Sequence, residues 1–190
     1  MRLQMMTGVL AAAAAIPVIA QETFVLDPVH SQPSFEATHL GYSTQIGSFG
    51  KSNGKVTLDR AAKKGTVDVT IDATSVRTFD TRLDTAVKGE RFFNIEKFPT
   101  ITFKSTSVTF DGDKVTGVDG ELTMLGVTKP VTLAVSNFSC ADNPFNKKPM
   151  CGGNATATIK RTEWGMTDGV RTLTPADVVT LRLPFEAYKE

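Results

Sequence analysis

Little in this sequence is chemically reactive. Its 190 residues include two histidines, two cysteines and one tryptophan. Two histidines with no third ligand at a useful spacing make a poor metal site, so no metal centre is expected. The letters Gly-x-Ser-x-Gly occur once, at Gly50-Lys51-Ser52-Asn53-Gly54, but a strand carrying Val56 and Leu58 follows them rather than the helix of a nucleophile elbow; there is no His-Glu-x-x-His and no phosphate-cradling Gly-x-x-x-x-Gly-Lys-Ser/Thr loop. The common signatures of metalloproteases and nucleotide enzymes are therefore missing, and the hydrolase elbow lacks its context. Asp111-Gly112-Asp113 lacks the later ligands of a calcium loop and reads as a turn. Neither sign of charge dominates. Only Arg2 is charged in the first twenty residues, which leaves 20 basic and 20 acidic residues beyond them. That balance argues against a nucleic-acid footprint. No catalytic residues and no required cofactor are expected.

Long apolar runs are also absent, with one exception. Arg2 precedes an apolar stretch from Val9 to Ile19, and Val18-Ile19-Ala20 resembles a small-residue cleavage site. The run is short for a membrane span, which needs about 20 apolar residues. Residues 1–20 therefore read as a signal peptide and residues 21–190 as the mature domain, periplasmic or secreted. An uncleaved anchor is the alternative. The mature length suits one domain with a sizeable core.

What is present is alternation. Residues 92–133 carry three strand signals and two tight turns. Ile101, Phe103, Val108 and Phe110 sit in a Thr- and Ser-rich run of high β-propensity. Asp111-Gly112 ends that run as a hairpin signal. Leu122 and Met124 share one parity, residues 126–129 turn the chain, and Val131, Leu133 and Val135 return on one face. Upstream, Phe24 and Leu26 stop at Asp27-Pro28, and Phe35, Ala37 and His39 share a parity. Val56 and Leu58 follow Asn53-Gly54, the strongest two-residue turn signal in the chain. Val67, Val69 and Ile71 alternate with Asp68, Thr70 and Asp72. Ala155, Ala157 and Ile159 form a later strand, and Val179, Leu181, Leu183 and Phe185 the last. Pro184 implies an edge, a bulge or a strand end there. Residues 81–89 alone depart from period two: Leu83, Ala86 and Val87 at helical spacing predict a short helix capped by Asp80 and stopped by Gly89. The fold class is all-β and antiparallel, with eight or more strands. Closure into a barrel and a two-sheet sandwich both satisfy the pattern.

Motifs favour the barrel. Asp27-Pro28-Val29-His30-Ser31, His39-Leu40-Gly41, Phe92-Phe93, Phe98-Pro99-Thr100-Ile101-Thr102-Phe103, Leu125-Gly126-Val127-Thr128-Lys129-Pro130-Val131 and Arg161-Thr162-Glu163-Trp164-Gly165-Met166 together resemble the YceI-like family. The likeness runs in order from about Phe24 to Tyr188. It implies an antiparallel, eight-stranded, lipocalin-like barrel with one short capping helix. It also implies export across the inner membrane and a long isoprenoid-type lipid, polyprenyl or quinone-like, held inside without catalysis. The expected partner is thus an amphiphilic lipid, with transient membrane contact. A barrel of eight strands is just wide enough for packed side chains or one small ligand, and the alanines at 37, 155 and 157 fit either reading.

The residues expected along such a ligand are Phe35, His39, Leu83, Phe92, Phe103, Met124, Ala157, Trp164, Leu181 and Leu183, with Ala37, Val69 and Ile71 on the same inward parity. His30, His39 and Arg77 are candidates for a polar headgroup. Each has a plainer reading: a partly exposed turn histidine, a strand-end histidine, a surface ion pair. Trp164 suits a core anchor as well as a lipid chain. Cys140 and Cys151, in an exported chain and bracketing a loop with Pro144 and Pro149, are expected to form a disulfide. An enzyme acting on an isoprenoid lipid, or a structural barrel with a packed interior, are the rival readings.

Overall fold

The structure, a computed structural model, describes residues 21–170 and 175–190. The expected signal peptide lies outside the described residues. Eleven strands form one sheet: β1 (Glu22–Leu26), β2 (Ser34–His39), β3 (Ser43–Phe49), β4 (Ser52–Asp59), β5 (Lys64–Asp72), β6 (Val76–Arg77), β7 (Thr100–Asp111), β8 (Lys114–Met124), β9 (Val127–Asp142), β10 (Pro149–Lys160) and β11 (Val178–Lys189). All described pairings are antiparallel. The order β1-β4-β5-β7-β8-β9-β10-β11 closes on itself through β1–β11, so eight strands make a barrel. The strands β2, β3 and β6 continue outward from β11 as a three-stranded flap. This is the closed barrel expected from the sequence.

The seam explains Pro184. β11 pairs with β2 over Val179–Arg182 and with β1 over Ala187–Lys189. Pro184 sits between these ladders, where β11 changes partner and a missing N–H costs no hydrogen bond on that side. The Asp27 amide donates to Glu186 O at 2.9 Å, and Ser31 Oγ both donates to Glu186 O and accepts from Glu186 N at 3.0 Å. The corner between β1 and β2 is thus fastened where the ladder is interrupted.

The Asn53-Gly54 turn is not formed. Both residues lie inside β4, where Asn53 pairs with Thr70 and Gly54 with Val69. Glycine is used for close approach instead: a Cβ at Gly54 would stand 2.5 Å from Asp68 O and 2.9 Å from Leu26 Cδ1. The hairpin after β7 forms one residue later than Asp111-Gly112, with Asp111 paired to Lys114 and Gly112 at φ 58°. The turn expected at 126–129 is at Leu125-Gly126, both with positive φ (53° and 73°), and Val127 already belongs to β9. The parity change in β7 from Ile101 and Phe103 to Val108 and Phe110 comes from a bulge between Ser105 and Ser107.

The expected helix is α1 (Thr81–Lys88), with the Asp80 carboxylate accepting from the Arg82 amide and Gly89 at its end. Cys140 and Cys151 are directly opposite in the β9–β10 ladder and are bonded to each other.

Two consequences can be measured. Gly54→Ala should destabilise the fold by about 1–3 kcal/mol in urea unfolding, because the neighbour at closest approach is backbone; an unchanged midpoint would remove the close approach. Reducing the disulfide should lower stability by about 3 kcal/mol on the chain-entropy model, and the non-reduced, denatured protein should show no titratable thiol.

Candidate functional site: an apolar cavity in the barrel

The barrel interior is not filled. Inward positions of every barrel strand surround a cavity of about 580 Å³. Its wall includes Leu26 of β1, Val56 of β4, Val69 and Ile71 of β5, Phe103 of β7, Leu122 and Met124 of β8, Val131 and Leu133 of β9, Ala155 and Ile159 of β10, and Leu181 and Leu183 of β11. The alternation that half-buries each strand supplies this wall directly.

The two ends differ. At one end lie the hairpin tips at 60–63, 112–113 and 143–148. At the other lie α1, residues 161–170 after β10, and the β2–β3 tip. The lining at this second end includes Leu40, Ile46, Phe79 and Leu83, all exposed, so this end is the mouth. Behind the mouth, Phe35, Phe49 and Phe93 form a mutual cluster with ring centroids 5.2–5.9 Å apart. Phe35 also lies over Gly47 and Phe103 over Gly120, where a Cβ would come within 2.4 Å of the ring. Glycine on the paired strand makes room for each aromatic.

The one charged group in the buried set is Arg161. Its Nε donates to Ala176 O at 2.8 Å, its Nη1 to Met166 O at 3.1 Å and its Nη2 to Asp168 O. The guanidinium also stands 5.9 Å from the Phe92 ring centroid. Burial pushes its pKa below the ordinary value, while the carboxylates of Asp177 and Asp168 oppose that shift. Arg161 therefore staples the segment after β10 across the mouth end, with three of its five N–H donors on backbone carbonyls.

Of the residues expected along a ligand, Phe35, Ala37, Val69, Ile71, Phe103, Met124, Leu181 and Leu183 line the cavity wall. Leu83, Phe92 and His39 lie at its mouth end, with His39 exposed at the end of β2. Four of the expected residues do not line the cavity. Ala157 has the inward parity and pairs with Leu181, yet does not reach the cavity; Ala155, two residues earlier on the same face, does. Trp164 is 2 % exposed and outside the lining, its indole N–H donating to Leu122 O at 3.2 Å, so it anchors the core. Arg77 is not a lining residue and donates to Gln32 Oε1 at 3.0 Å. His30 is also away from the cavity, with Nδ1 2.6 Å from Asp27 Oδ2 and 3.7 Å from Glu186 Oε2.

The His30–Asp27 hydrogen bond raises the histidine pKa and lowers that of Asp27. A raised histidine contributes fully below its ordinary 6.5 and a lowered carboxylate fully above its ordinary 3.8, so the pair is strongest between these values. With His30 exposed, solvent screening keeps the effect small. Sequence reasoning missed Phe49, Phe93 and Arg161. Phe93 was legible only as half of Phe92-Phe93, and Arg161 only as part of a motif.

Comparison with known proteins agrees with this architecture. The model of the YceI-like domain matches residues 24–187. The chain belongs to the YceI-like family. It is 42 % identical over 134 residues to Protein YceI of Escherichia coli, covering 69 % of this chain and 68 % of that one. It is 37 % identical over 139 residues to Protein YceI of Salmonella arizonae, covering 73 % and 72 %. The crystal structure of Burkholderia cenocepacia BcnA superposes with a TM-score of 0.71 at 25 % identity, over 85 % of this chain and 98 % of that one. A polyisoprenoid binding domain from Saccharophagus degradans, implicated in plant cell wall breakdown, shares the fold at TM-score 0.60 and 16 % identity, over 88 % and 98 %.

Within this YceI-like chain, Asp27-Pro28-Val29-His30-Ser31 is the seam corner and Leu125-Gly126 a tight turn against Phe98. The Arg161 segment combines the staple with the Trp164 anchor. Arg161→Ala should lower the urea midpoint by an amount equivalent to about 1–3 kcal/mol, from carbonyls left unpaired. Arg161→Lys should recover little of it, because an ammonium lacks the planar fork. An unchanged midpoint in both variants would remove the staple.

Proposed function

We propose that this protein binds a long isoprenoid-type lipid, polyprenyl or quinone-like, inside the barrel and carries or sequesters it in the periplasm. The observation that carries this is the apolar cavity itself. At about 580 Å³ it lies in the range of about 300–1,000 Å³ usual for small-ligand sites. A structural barrel would fill that space with side chains, because voids of this size are costly in an ordinary core. A folded tail burying roughly 600 Å² would gain on the order of 15 kcal/mol gross. Lost freedom and ordering would offset about 4–15 kcal/mol of it.

Family membership supports the ligand class, as does the barrel shared with the polyisoprenoid binding domain of Saccharophagus degradans. The Cys140–Cys151 disulfide and the signal-peptide pattern at residues 1–20 support an oxidising compartment. The reading is of a binding protein rather than an enzyme. Among the described lining residues, the Ser31 and Ser52 hydroxyls donate to backbone carbonyls, and the Thr78 hydroxyl donates to an Asp84 carboxylate that also holds the Thr78 amide at the start of α1; none is hydrogen-bonded to a histidine.

The experiment is organic-solvent extraction of the purified protein followed by mass spectrometry. A stoichiometric apolar lipid is expected from the wild type. Ala155→Trp, which fills the cavity from β10, should abolish recovery while the far-ultraviolet spectrum stays unchanged. Leu181→Trp from β11 is a second such variant should the first fail to fold. No lipid from the wild type, together with no uptake of added isoprenoid quinone or prenyl phosphate, would reject the reading.

A further inference from the structure

Most of the large exposed apolar side chains are gathered at the mouth. Leu40, Tyr42 and Ile46 come from the β2–β3 hairpin, Phe79 and Leu83 from the start of α1, and Val178 from the start of β11. Tyr42 and Phe79 are each 90 % exposed. The hairpin projects because β2 and β3 belong to the flap beyond the barrel ladder, and Leu40 and Gly41 make its tip with φ of 53° and 83°. Exposed aromatics at a projecting tip are unfavourable in water unless something covers them.

We infer that this rim is a docking surface for a phospholipid bilayer, through which the cavity exchanges its ligand directly with the membrane. The inference rests on the lipid-binding reading and names where loading occurs. Two observations select the bilayer over a protein partner. The first is charge: residues 37–50, the outer part of the hairpin, contain no Asp, Glu, Lys or Arg. A tip of Leu, Tyr, Ile, Ser and Thr matches an uncharged interfacial region, where Tyr and aromatic rings are favoured. It offers nothing to the charged rim of a usual protein interface. On α1 the acids are already engaged: Asp80 caps the helix and pairs with Arg82, and Asp84 accepts from the Thr78 amide and hydroxyl. The second is continuity. Leu40, Ile46, Phe79 and Leu83 belong to the cavity lining as well as to the exposed rim. Whatever covers the rim also stands at the entrance, and a bilayer covers it with the phase in which the ligand dissolves.

The opposite end supplies a control. Phe145, 94 % exposed, lies in the β9–β10 tip close to Lys147 and Lys148. If exposed aromatic surface alone drove binding, it would serve equally well.

The test is flotation of the mature protein with phosphatidylcholine vesicles, combined with transfer of a fluorescent isoprenoid from those vesicles. The wild type should float. The variant Tyr42→Ser, at a rim residue outside the cavity lining, should float about tenfold less, as an exposed aromatic side chain is removed. It should also load more slowly from vesicles while still taking up the same isoprenoid from dilute ethanol. Phe145→Ser should behave as wild type in all three assays. Absence of flotation by the wild type, an unchanged Tyr42→Ser variant, or a Phe145→Ser defect of equal size would each overturn the docking surface. Flotation by a wild type that takes up no isoprenoid by either route would leave the docking surface standing and reject the lipid-binding reading instead.

Discussion

Closure of the ladder at β11 is the constraint on which the rest depends. One twelve-residue strand meets two short partners on the same edge, β2 near its start and β1 near its end. The β1 pairing completes the barrel and removes the open edge that eight strands would otherwise expose. The β2 pairing cannot do so, because β2 leads to β3 and β6 away from the barrel. The same division of β11 therefore creates both the enclosed interior and the projecting flap at its mouth. The corner at Asp27 and Ser31, bonded to Glu186, holds the division in place.

Closed ladders satisfy the backbone but say nothing about how the interior is filled. Here the inward set is dominated by medium side chains, and phenylalanines lie at both ends, Phe138 and Phe185 away from the mouth and Phe35, Phe49 and Phe93 towards it. Phe35, Phe49 and Phe93 pack on one another there rather than across the bore. Trp164, the bulkiest side chain, is outside the cavity altogether. The empty volume follows from where bulk is placed along the axis, not from a shortage of apolar residues.

That distinction also decides what was legible in the sequence. Period-two alternation gives the face on which a residue lies, and it placed Phe35, Val69, Phe103, Met124 and Leu181 on the cavity side. Helical spacing and an Asp cap gave α1 within a residue. The cysteine pair, read beside a signal-peptide pattern, gave the disulfide. Height along the barrel has no such signal. Ala155 and Ala157 are indistinguishable by parity, yet only the first reaches the cavity. Arg77 and His30 are polar residues near motifs, but their positions depend on the seam and flap, which are set by long-range register. Asn53-Gly54 failed for a related reason: a glycine required by close strand approach has the same letters as a glycine required by a turn.

The polar groups show how a ligand would be oriented. Among the described residues, no buried side-chain nitrogen or oxygen lacks a hydrogen-bond partner. Arg161, the charged group best placed to meet a ligand, commits three of its five N–H donors to the carbonyls of Ala176, Met166 and Asp168. A headgroup drawn inside would meet a guanidinium already directed at these carbonyls and would shed most of its own hydration, which is unfavourable without a full set of new partners. On the lipid reading, the tail therefore enters and the headgroup stays at the mouth, beside His39 and the hairpin tip. Affinity then comes from buried tail area and selection from how much tail the cavity holds. A carrier built this way distinguishes chain length and bulk more sharply than headgroup chemistry.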